Sequence, residues 1–72
     1  MNYTQLDHEI TSAEFKLREH ITRLGAVAAA RICGETQPTM SAFLHGTRRF
    51  SVRRVFKALD RIREHERTNR SE

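Results

Sequence analysis

Apolar residues recur along the chain at three- and four-residue steps, and no window alternates apolar and polar strictly enough for a strand. That period belongs to helices sharing a core, so the expected fold is all-α: a small bundle of four to five helices, in one domain spanning 1–72. Ala13, Leu17, Ile21 and Leu24 make the first stripe. Ahead of them, Thr11-Ser12-Ala13-Glu14 has the form of a capping box, Thr11 serving the N–H of Glu14 and the Glu14 carboxylate returning to the N–H of Thr11. Ile10 and Phe15 stand at the spacing of a hydrophobic staple. The first helix is therefore expected to begin at Thr11 and to end at Gly25. Residues 1–10, with Tyr3 and Leu6 among polar groups, read as an arm or a short helix.

The run AVAAARIC, 26–33, predicts a short alanine-rich helix that can lie close to its neighbours and stops at Gly34. Thr36 then offers an N-cap hydroxyl, with Pro38 in the first turn, where its missing N–H costs nothing. The helix that follows is expected over Gln37 to His45, closed by Gly46. Met40, Phe43 and Leu44 fall on one side of it; Gln37, Pro38, Ser41 and Ala42 lie on the other or at its exposed start. Ser51 caps a long last helix whose apolar stripe is Val52, Val55, Phe56, Leu59 and Ile62, and 67–72 read as a flexible polar tail.

Length and charge add two constraints. A 72-residue domain buries only about 60% of the surface its unfolded chain exposes, so a second subunit would add needed stability. Residues 36–72 hold nine Lys and Arg against four acids, whereas 1–35 hold four against five. A basic half that follows directly on the Gln37 helix points to a polyanionic partner. The longest apolar run, Ala26 to Ala30, is far short of a membrane span, and no signal segment opens the chain, so it reads as soluble and cytoplasmic. Cys33 stands alone and His8, His20, His45 and His65 are scattered, which predicts neither a disulfide nor a metal site. No nucleophile triad, phosphate loop or carboxylate pair suggests catalysis, and no cofactor is implied.

Two short helices joined by Gly34, Glu35 and Thr36 have the dimensions of a helix-turn-helix. The stretch AAARICGETQPTMSAFLHGTRRFS resembles the Cro/phage-repressor (XRE-like) helix-turn-helix family over about residues 17–62, through Ala30, Gly34, Met40, Phe43, Gly46 and the Arg48-Arg49 pair. Physical reasons support the same spacing: Ala30 must be small where two helices cross, Gly34 must turn the chain left-handed, and Met40 and Phe43 close the crossing from inside. One departure is Ala26, where the family commonly has a polar phosphate ligand.

The resemblance implies a lambda-repressor-like fold and a sequence-specific regulator of double-stranded DNA. A repressor of phage or mobile-element type, acting as a homodimer on an inverted repeat, is the expected function. Gln37, Pro38, Ser41 and Ala42 are the candidate base contacts, with Gln37 suited to read adenine through its amide. Thr39, Arg48, Arg49 and Arg53, with backbone N–H groups at 25–27, are the candidate phosphate contacts. The expected dimer surface is the helix from Val52 to Glu66 through Val55, Leu59 and Ile62, with residues 3–10 as an optional addition, because its stripe is long enough to serve both its own core and a neighbour, Ile62 lying past the part that the motif can cover. The alternative is an antitoxin-type module whose main partner is a protein, such as a toxin; contact with polymerase also stays open.

Overall fold

The computed structural model describes residues 3–70, with side chains described over 8–69. Its elements are four helices, α1 (Tyr3–Leu24), α2 (Ala26–Cys33), α3 (Gln37–Leu44) and α4 (Val52–Arg70). No strand occurs among the described residues. Long α1 and α4 pack on one another, and the two short helices close over them. Among the described residues α2 packs on all three other helices, whereas α3 packs on α1 and α2 but not on α4. No helix there is long and apolar enough to cross a membrane.

Most boundaries follow the local chemistry. Gly25, at φ 90°, ends α1 and opens α2. Gly34 closes α2 in the left-handed conformation (φ 72°, ψ 32°), and the Glu35 N–H donates to the Ala30 carbonyl at 2.8 Å. The Thr36 hydroxyl accepts from the Thr39 N–H at 3.4 Å, and the Ser51 hydroxyl from the Arg54 N–H at 3.2 Å, capping α3 and α4 respectively. His45 is the C-terminal cap of α3 rather than its last helical residue.

Three expectations are corrected. The first helix does not begin at Thr11: α1 runs unbroken from Tyr3, with Thr11 exposed in mid-helix. Neither glycine nor proline interrupts 3–24, and half-buried Ile10 extends the stripe of Ala13, Leu17 and Ile21 by one helical step. Continuing the helix therefore wins over a capping box worth about 1 kcal/mol. Phe15 is 61% exposed and staples nothing. At the other end α4 continues through Arg70 instead of fraying at residue 67, helped by hydrogen bonds from Arg67 to Glu64 and between Asn69 and His65.

The third correction concerns α4's stripe. Val55, Leu59 and Ile62 were expected to face a second subunit, yet they are 2%, 2% and 0% exposed, inside this chain's own core. α1 covers more of α4 than the two short helices could, so Ile62 is not beyond the domain's reach. Val52 and Phe56, one turn apart on a row rotated away from that face, are each 45% exposed. Their expected core positions are taken by Phe50 and Ala58.

The core consists of Ala13, Leu17 and Ile21 of α1, Ala29 and Ala30 of α2, Met40 and Phe43 of α3, Phe50, and the buried face of α4. Cys33 is half-buried against this core, its thiol 3.8 Å from the Ala58 carbonyl oxygen, and burial pushes its pKa up. Ala29 and Ala30 are nearly or fully buried where α2 meets its neighbours, so the crossing has room for a methyl group and little else. Ala30→Leu should lower stability by about 1–3 kcal/mol, read as a lower midpoint in urea with an unchanged slope. A wild-type midpoint would mean that the crossing is not tight at Ala30.

Candidate nucleic-acid interface

The exposed face of α3 is set by what the rest of the helix buries. Met40 and Phe43 are fully buried, which turns Gln37 and Pro38 outward, with Thr39, Ser41 and Ala42 half-buried along the flank. The five candidate contacts thus share the outer side and first turn of one eight-residue helix. Thr39 is partly engaged already: its hydroxyl oxygen accepts from the Thr36 hydroxyl at 2.8 Å, leaving its own proton free to donate outward.

The segment after α3 is fastened back onto that helix. The Ala42 carbonyl accepts from the N–H of Thr47 (2.9 Å), the N–H of Arg48 (3.2 Å) and the Thr47 hydroxyl (3.1 Å). The N–H of Gly46 reaches the Phe43 carbonyl at 3.1 Å. Arg48 and Arg49 consequently leave the fold from a backbone fixed relative to α3. Both are exposed, as is Arg53 in the first turn of α4. Among the described residues none of the three makes an ion pair with a carboxylate, whereas Arg23, Arg54, Arg63 and Arg67 do.

Beneath this surface lies an arrangement that the sequence reading missed. Phe43 and Phe50 stack with centroids 4.4 Å apart and planes 14° from parallel. The Arg18 guanidinium lies over the Phe43 ring at 4.6 Å and donates to the Phe43 carbonyl at 3.3 Å. The Arg54 guanidinium lies over Phe50 at 4.3 Å and makes a two-pronged pair with the Glu35 carboxylate. That fork of hydrogen bonds, ahead of the nearby charges of Arg54, Arg48 and Arg61, holds the Glu35 carboxyl below the usual carboxylate range, against an opposing push from burial. A usable signal existed for part of this. Phe50 immediately precedes the Ser51 cap and Val55 lies four places after it, so the staple spacing assigned to Ile10 and Phe15 holds here instead, between two buried residues.

The first turn of α2 is the remaining candidate for an anion contact. Gly25 supplies no side-chain cap, and the Gly25 carbonyl accepts from Ala29 in the ordinary way, so the N–H groups of residues 26–28 have no intrahelical acceptor. Such a turn favours an anion. Val55, Leu59 and Ile62, the remaining candidates, are core residues and contribute nothing to a surface. Among the described residues no three His, Cys, Asp or Glu side chains come together to hold a metal ion.

No protein-family model matches the chain, and no curated protein or solved structure matches it.

The Glu35–Arg54 pair gives a measurable pH dependence. A carboxylate whose folded pKa is depressed adds stability that is fully present above its unfolded value of about 4.3 and is lost as pH falls through the folded value. Glu35→Gln should therefore flatten the fall in melting temperature below about pH 4.3 while lowering the melting temperature at pH 7. Parallel wild-type and variant curves from pH 2 to 7 would show that the pair contributes no net stability.

Proposed function

We propose that the protein is a sequence-specific double-stranded DNA-binding transcriptional regulator of phage or mobile-element repressor type. α2 and α3 act as its helix-turn-helix, and a homodimer occupies an inverted-repeat operator. The observation that carries this reading is the juxtaposition of α3's polar outer face with exposed Arg48 and Arg49, which follow directly on a backbone tied to the same helix and make no ion pair with a carboxylate among the described residues. Base-edge readers and phosphate ligands must be held in fixed relation for one helix to be read in register, and the hydrogen bonds from Thr47 and Arg48 to the Ala42 carbonyl support that requirement.

In this reading α3 lies in the major groove. Gln37 offers the paired donor and acceptor that match adenine, Ser41 a hydroxyl, and Pro38 and Ala42 apolar surface for a thymine methyl. Arg48, Arg49 and Arg53 take phosphates on one side, and the first turn of α2 takes one on the other, with Thr39 adding a hydroxyl. The half-sites of a two-fold dimer would be separated by about 10–10.5 bp or a multiple. Selection of bound sequences from a random duplex pool by purified protein tests the proposal: a defined inverted repeat is expected, and featureless enrichment would overturn it.

Two substitutions separate reading from positioning. Gln37→Ala should weaken the selected site by roughly 1–3 kcal/mol with little change on random DNA. Equal losses on both would remove Gln37 from readout. Arg48→Ala with Arg49→Ala should weaken both kinds of DNA and reduce the slope of log affinity against log salt by about 0.9 per lost contact. An unchanged slope in the double variant would remove the pair from the interface.

A further inference from the structure

With Val55, Leu59 and Ile62 buried, α4 presents a different apolar row to solvent. Val52 and Phe56, both 45% exposed, stand beside a groove of about 420 Å³ between α1 and α4. Its walls are His8, Glu9, Ser12 and Lys16 on one side and Phe56 and Arg63 on the other, with Ala13 and Leu59 of the core beneath. Along this contact the two helices run in the same direction, since Ala13 meets Leu59 in the groove while His20 and Arg23 meet Glu66 further on.

That direction sorts the charges. Glu9 lies at the Phe56 end of the groove, and Lys16 and Arg63 lie together at the other end. Glu9 and Lys16 have no ion-pair partner among the described residues, and Arg63 has only Asp60 at 4.0 Å, both well exposed. A groove with an acid and an aromatic ring at one end and two bases at the other is complementary to itself when reversed. We propose that this groove is the homodimer interface, occupied by a second copy of the chain related by a two-fold axis across the helices. Each Phe56 enters the other copy's groove, and Glu9 of each copy faces Lys16 and Arg63 of the other. Neither α3 nor the Arg48-Arg49 segment lines the groove, so a second copy there leaves the proposed DNA surface uncovered. The inference deepens the proposed function, which calls for two-fold pairing, but it is tested without DNA.

Sedimentation of the wild-type chain at micromolar to hundred-micromolar concentration should show a monomer–dimer equilibrium. Phe56→Glu should raise the dimer dissociation constant roughly thirtyfold or more, as for a central interface aromatic, with the melting transition retained. Two charge variants give a test that does not depend on removing the ring. Glu9→Lys alone should be monomeric, and so should Lys16→Glu with Arg63→Glu, because each sets like charges against like. Mixed in equal amounts, the two should form a heterodimer, since both ends then pair. A wild-type monomer throughout the range, an unchanged constant for Phe56→Glu, or a mixture that stays monomeric would each overturn the proposal. Failure of the DNA reading alone would look different: a dimer weakened by Phe56→Glu that selects no sequence.

Discussion

Phe43 and Phe50 stack face to face at 4.4 Å, and the elements of the fold are joined around that contact. α3 does not pack on α4 among the described residues, and the stack joins α3 to the segment that leads into α4. Arg18 brings α1 to one ring, Arg54 brings α4 to the other, and Glu35 ties Arg54 to the turn between α2 and α3. A stacked aromatic pair contributes about 0.5–1.5 kcal/mol beyond its buried area, a sizeable share in so short a chain. It also has a geometric effect, because Phe50 is the buried side chain of the segment 45–51, which is otherwise held by hydrogen bonds to the Ser41, Ala42 and Phe43 carbonyls and by the Ser51 cap. Releasing Phe50 would leave Arg48 and Arg49 on a tether rather than on a platform.

The same contact divides the arginines into two populations. Arg18 and Arg54 lie over rings and hydrogen-bond to the Phe43 carbonyl and the Glu35 carboxylate respectively; their planar, weakly hydrated heads suit that position in a way a lysine's would not. Arg48, Arg49 and Arg53 are exposed and make no ion pair with a carboxylate among the described residues, although Arg48 is near enough to Glu35 for its charge to be felt there. Arg53 and Arg54 are adjacent in sequence but about 100° apart on the helix, which is why one turns to solvent and the other covers Phe50. A count of basic residues in the second half of the chain cannot distinguish the two roles. Only the inward-facing aromatic at Phe50 does.

Sequence reading recovered α2, the glycine turn, the Thr36 and Ser51 caps and the inward pair Met40 and Phe43, because each rests on a signal within four or five residues. The all-α class and the stripe of α1 were legible for the same reason. The start of α1 was misplaced because a capping box and an uninterrupted helix make competing local claims at Thr11, and Ile10 decides between them only once α1 has something to pack on. The α4 stripe failed at Val52 and Phe56, where the width of the buried face depends on how far α1 extends over it. The Arg18–Phe43 and Glu35–Arg54 contacts span 25 and 19 residues, respectively, a separation at which no local pattern speaks. The outer face of α3 was readable by subtraction, since fixing Met40 and Phe43 inward fixes Gln37 and Pro38 outward.

That outer face and the groove beside Phe56 lie on different parts of the molecule, and α4 connects them. Its first turn carries Arg53 at the proposed DNA surface and Val52 on the exposed apolar row, with Phe56 one turn further on. A two-fold partner seated on that row would fix the separation of the two α3 helices through one short rigid segment, with no linker between binding and pairing. The groove is small, so the dimer it makes would be weak in free solution. Two half-sites on one duplex would supply the missing stability by holding both copies at high effective concentration. Occupancy would then rise steeply with protein concentration, because pairing and binding draw on the same equilibrium. The dimer would in this way obtain a threshold response from its packing alone.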